Sequence, residues 1–66
     1  MKILLNGQAK EFADSISLKN IIEQFCQETR PVIAEVNGEI IKRYQWKEKM
    51  ISAGDTIELV NLVGGG

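Results

Sequence analysis

Short apolar runs alternating with polar residues stand at both ends of the chain, and a run at helical spacing lies between them. In "MKILLNGQAKEF" the Asn6-Gly7 pair suits the positive backbone angles of a type I′ turn, so Lys2–Leu5 and residues 8–12 are expected as paired strands. A tight turn sets Met1 opposite Phe12 toward the core and Lys2 opposite Glu11 on the outer face. It also sets Lys10 beside Ile3 on the inner face, which calls either for a snorkelling lysine or for a bulge that shifts the register. In "SLKNIIEQFCQ" the period lengthens, and Leu18, Ile21, Ile22, Phe25 and Cys26 share one apolar helix face behind a candidate N-cap, Ser17. Asn20 supplies no capping box. Pro31 ends the helix at or before Arg30. A second Asn-Gly pair, Asn37-Gly38, joins predicted strands at Val32–Val36 and Glu39–Ile41, and "AGD" at positions 53–55 turns the chain into a final strand over residues 56–63. Within that strand Ile57 and Leu59 fall on one face, and Glu58, Val60 and Leu62 on the other. Burying the first pair leaves Val60 and Leu62 either open for docking a partner or covered by a sheet edge or loop.

The order β-β-α-β-β-β in 66 residues describes one small α+β domain, near the lower size for folding without disulfides or metal. Composition narrows its chemistry. Eight Lys+Arg against nine Asp+Glu give no basic patch of the kind that binds nucleic acid. No apolar stretch is long enough to span a bilayer, and the apolar run after Lys2 is too short for a signal peptide, so a cytoplasmic protein is expected. The single cysteine, Cys26, agrees with a reducing compartment. With no histidine to activate it, and placed on the apolar helix face, Cys26 reads as a core thiol. Trp46 reads as core or lid packing. Absent histidine and a lone cysteine argue against a zinc site. Glu23, Glu28, Glu35, Glu39, Glu48, Asp55 and Glu58 are scattered and read as solvated surface. No nucleophile stands with a base, so no catalytic residues are assigned.

The helix-across-a-sheet order is that of the ubiquitin-like β-grasp, and two segments make the likeness specific. "VNGEIIKRYQW" and "AGDTIELVNLVGGG" resemble the ThiS family of sulfur carrier proteins at Val36, Asn37, Gly38, Glu39, Arg43, Trp46, Gly54, Asp55, Ile57 and the closing glycines. Lys42 departs from the family, which more often has proline there. The resemblance covers the whole chain and implies a function for Gly64, Gly65 and Gly66. No helix and no Lys-Ser/Thr follow them, so they form no phosphate-binding loop. A free α-carboxylate is ionised at neutral pH and a poor electrophile. In the family, a separate ATP-dependent adenylyltransferase of the ThiF type, related to ubiquitin-activating enzymes, activates it. A sulfur donor such as a cysteine desulfurase persulfide then displaces AMP to leave a thiocarboxylate, and thiazole synthase of the ThiG type takes the sulfur for thiamine. Gly66 is the modified residue that this implies, with Gly64 and Gly65 as a flexible lead. The protein is then a carrier that binds no cofactor, the ATP belonging to its partner. The alternatives are a molybdopterin-synthase type of carrier subunit, a ubiquitin-like modifier, and a plain binding domain with an inert tail.

Overall fold

The computed structural model describes residues 1–26 and 31–61. Among them run β1 (Lys2–Leu5), β2 (Gln8–Glu11), α1 (Leu18–Phe25), β3 (Val32–Val36), β4 (Glu39–Ile41), a 3-10 turn at Arg43–Gln45, and β5 (Thr56–Asn61). The sheet order is β2-β1-β5-β3-β4, with β5 parallel to β1 and antiparallel to β3. This is the mixed sheet of the β-grasp. Leu18, Ile21 and Ile22 of α1 pack on Ile3, Leu5, Ala34, Val36, Ile41, Ile57 and Leu59 in one core.

Both hairpins form as the Asn-Gly pairs predict, with φ of 50° and 81° at Asn6 and Gly7 and 53° and 84° at Asn37 and Gly38. Each asparagine also reaches β5. Leu59 donates its N–H to Asn6 Oδ1 at 2.8 Å, and Asn6 Nδ2 donates to the Leu59 carbonyl at 3.3 Å, so the side-chain amide prolongs the β1 ladder by one rung. On the other side Thr56 N–H donates to Asn37 Oδ1 at 2.9 Å, and Asn37 Nδ2 donates to Asp55 Oδ1 at 3.0 Å. Asp55 Oδ2 accepts from Ser52 N–H at 2.8 Å, closing the turn in which Gly54 holds φ 86°. The Asn37-Gly38 and Gly54-Asp55 pairs are thus one hydrogen-bonded cluster.

The segment between β4 and β5 closes the N-terminus of α1. Four N–H groups at a helix start lack intrahelical partners. Here Leu18 N–H donates to the Lys49 carbonyl at 2.8 Å and Lys19 N–H to the Trp46 carbonyl at 3.1 Å, while Asn20 N–H donates to Ser17 Oγ at 3.2 Å. Ser17 is therefore the N-cap, and its hydroxyl also donates to Asn20 Oδ1 at 2.6 Å. Trp46 is buried, and its Nε1–H donates to the Ile41 carbonyl at 2.8 Å. Ile51 joins the core from the same segment. Lys42 has φ −72°, which a proline ring would also satisfy, and donates its N–H to Gln45 Oε1 at 3.0 Å, a bond proline cannot make.

Of the two alternatives at Lys10 the structure takes the first: it stays in regular register opposite Ile3 with no bulge, and its ammonium lies 5.5 Å from the ring centre of Phe25. Three details differ from the pattern in the sequence. Phe25 is half exposed instead of core: it lies at the last turn of α1, with Phe12 at its edge and Lys10 over its face. Cys26 caps the helix and packs at the margin of the core. The strand predicted over 8–12 ends at Glu11, Phe12 pairing with Met1 through backbone bonds of 2.6 and 2.9 Å. Residues 62 and 63 of the predicted final strand lie outside the described residues.

The asparagine clamp can be separated from the turn. Asn37→Gly keeps access to positive φ but loses two side-chain hydrogen bonds, and is expected to cost about 1–2 kcal/mol. Asn37→Ala adds the left-handed backbone penalty of roughly 1 kcal/mol. Urea melts of the three proteins should rank wild type, glycine, alanine in falling stability; equal midpoints for wild type and Asn37→Gly would mean that the amide contributes nothing.

Candidate functional site

β5 carries the chain toward the glycines, so the site starts from its end. Asn61, the last residue of β5, pairs with Val32 on β3. Its neighbour Val60 points to the outer face opposite Ile33, and the two are 51% and 40% exposed, an open apolar pair where a well-packed sheet would hide it. Leu4 and Ile40 are also exposed on the sheet, while Glu58 and Glu35 stand opposite each other one step further along. Like charges in register destabilise slightly and keep this face from being wholly apolar. Leu62, Gly64, Gly65 and Gly66 lie outside the described residues.

On the opposite face, beside the same strand end, lies a cleft of about 370 Å³. Ile22, Val32 and Trp46 form its apolar floor, and Lys19, Glu23, Arg43, Tyr44 and Lys47 surround it. The helix-capping segment creates this arrangement: binding Lys19 N–H to the Trp46 carbonyl brings Arg43 and Lys47 next to α1. The Arg43 guanidinium stacks 5.7 Å from the Trp46 ring centre. Arg43 and Trp46, two positions of the family resemblance, thus meet in one place. The sequence signal for this meeting was their spacing of three, which a 3-10 turn converts into stacking.

The described residues contain no group of His, Cys, Asp or Glu able to hold a metal ion. Burial pushes the Cys26 thiol above its ordinary pKa, which lowers the thiolate fraction at neutral pH and makes this a poor nucleophile. No helix in the described residues is long and apolar enough to cross a membrane.

A β-grasp domain whose central strand leads into a glycine run has the form of a ubiquitin-like carrier, a protein that is itself acted upon. The chain belongs to the ThiS family, whose model matches residues 3–66. It is similar to the sulfur carrier protein ThiS of Escherichia coli, 32% identical over 66 residues that cover all of both chains. It is 29% identical over its full length to part of the thiazole synthase of Paramagnetospirillum magneticum, and spans only 20% of that protein. The crystal structure of the thiamine biosynthesis protein ThiS from Geobacter metallireducens superposes with a TM-score of 0.83 at 26% identity, each chain covered completely. The function these matches carry is that of a sulfur carrier in thiamine biosynthesis and not of a catalyst.

The place of Cys26 yields a test. Cys26→Ala should cost on the order of 1 kcal/mol through lost packing and leave sulfur loading intact. A thiol whose pKa is raised by folding leaves stability unaffected below its unfolded pKa and lowers it above, so urea melts at high pH should show a decline that the alanine variant partly lacks. Loss of loading in folded Cys26→Ala would make the thiol part of the chemistry.

Proposed function

We propose that the carboxylate of Gly66 is the working group of this carrier. The observation supporting this most is the extent of the family match, which runs through the glycines to position 66. The carboxylate attacks the α-phosphorus of ATP on a separate ThiF-type enzyme, and pyrophosphate leaves. The outer sulfur of a cysteine persulfide attacks the resulting glycyl adenylate and expels AMP, giving an acyl disulfide. A second thiol attacks the cysteine sulfur of that bond, forming a disulfide between the two cysteines and releasing the thiocarboxylate. Thiazole synthase then accepts the sulfur. A relative named thiazole synthase that contains a ThiS-like stretch in its own chain supports this pairing of carrier and consumer.

Residues 62–66 reach at most roughly 15–18 Å when extended, enough to enter an active site buried in a partner. Glycine passes through a channel too narrow for a side chain and accepts whatever backbone angles the channel imposes. Val60 and Leu62 serve as docking residues for the adenylating enzyme; Val60 has the exposure and the apolar neighbour Ile33 that such a role needs. Work in the cytoplasm fits the ATP and the reduced thiols that the chemistry consumes.

The test is to incubate the chain with ATP, a sulfur source and the adenylating enzyme, and to follow intact mass for one oxygen-to-sulfur exchange. Deleting Gly66 withdraws the carboxylate by about 3.5 Å, and misplacement of even 1 Å can cost around 100-fold in rate. Gly65→Leu should obstruct the channel. Both variants should melt within about 2 °C of wild type, since glycine has no side chain to bury. Sulfur gain at the wild-type rate in both would refute the role of Gly66.

A further inference from the structure

The two faces beside the end of β5 differ in charge. The outer face carries Val60, Ile33, Leu4 and Ile40 with the carboxylates Glu35 and Glu58 among them. The cleft on the other face has three cations, Lys19, Arg43 and Lys47, against one carboxylate, Glu23. None of the four makes an ion pair among the described residues, where the N-terminal ammonium makes the ion pairs present, to Glu11 and Asp14. The cleft floor is apolar, and its Val32 lies in register with Asn61 at the root of the glycine segment. A ligand seated there would combine an aliphatic or aromatic side chain with carboxylates, and would lie within a few residues of the chain end.

We propose that the cleft between α1 and the Arg43–Lys47 segment docks an acidic segment of thiazole synthase that inserts one apolar side chain over Trp46. The inference rests on the sulfur-carrier reading. The fused relative favours the synthase over the adenylating enzyme as occupant, because there a ThiS-like stretch and a protein named thiazole synthase share one chain. A carrier must meet two enzymes with one tail. Opposite charge on two faces beside the tail root gives each enzyme its own surface, and complementary charge sets partner choice and association rate more than raw affinity. An acidic patch on the synthase would be attracted by the cleft and repelled by Glu35 and Glu58.

Trp46 is the only tryptophan of the chain and lies on the cleft floor, so its fluorescence can report occupancy. The unmodified chain is titrated with purified thiazole synthase from the same organism, prepared with its tryptophans replaced by phenylalanine, at low and high salt. Isothermal calorimetry checks each dissociation constant. The Lys19→Glu/Lys47→Glu double variant should bind about tenfold more weakly at low salt, with the difference shrinking at high salt, as expected for partly exposed charges. Glu23→Lys should bind about threefold more tightly. Amide spectra and melting temperatures like those of wild type establish that the variants fold. In parallel, ATP-dependent sulfur gain with the adenylating enzyme is measured for each; the double variant should keep it within about twofold. Wild-type affinity of the double variant for the synthase overturns the proposal. So does an equal loss with both enzymes, because the cleft would then not distinguish them. Failure of the wild-type chain to gain sulfur at all would strike the carrier chemistry, while the synthase titration would still decide the docking.

Discussion

β5 fills the gap between β1 and β3, and everything else in the fold is arranged around that insertion. The two hairpins contribute the flanking strands, β1 from one and β3 from the other, and neither sheet half can bury its inner face alone. Ile57 and Leu59 enter the core from the middle of the sheet, with Ile57 wholly buried. The amides of Asn6 and Asn37 bind the β5 backbone from opposite sides, at Leu59 and Thr56. Side-chain amides in this role provide donor and acceptor together, where a third strand residue would have to continue a turning chain. The two hairpin turns are therefore also the clamps of the central strand.

The segment from Lys42 to Ile51 performs a comparable double task on the helical side. Its carbonyls at Trp46 and Lys49 satisfy the first N–H groups of α1, and Ile51 returns a bond to the Ile16 carbonyl at 3.0 Å. A helix of eight residues is too short to be stable by itself in water. It is held by the core on one face and by this segment at its start. The cleft is a by-product of that closure: the same turn that caps the helix displays Arg43, Tyr44 and Lys47 beside it.

Local chemistry made much of this legible in the sequence. Asn-Gly pairs specify their turn through backbone angles alone, so β3 and β4 were predictable to the residue. Ser17 was readable as an N-cap because only a small polar side chain before an apolar-periodic run can serve there. Strand order was not encoded locally, since parallel pairing of β1 with β5 joins residues some fifty positions apart and depends on which gap the last strand can fill. Phe25 was misplaced on the core face because helical spacing does not reveal where the sheet beneath it stops; a helix longer than its support leaves its last apolar residue at the rim. The cleft was hidden for a similar reason. Arg43 and Trp46 stood in the family pattern, but Lys19, Glu23 and Lys47 look like ordinary solvated charges until the helix and the turn are placed side by side.

The register of β5 fixes where the chain leaves the sheet. A slip of one residue in its register would turn Glu58 into the core and Ile57 and Leu59 out to solvent, a loss on the order of several kcal/mol that no alternative pairing recovers. Thr56 and Leu59 are further fixed by the two asparagines. Asn61 is consequently held at one position relative to both the outer face and the cleft. The division of labour is the reverse of that in an enzyme: in a sulfur carrier the described residues fix where the backbone leaves the sheet, and the chemistry belongs to other proteins.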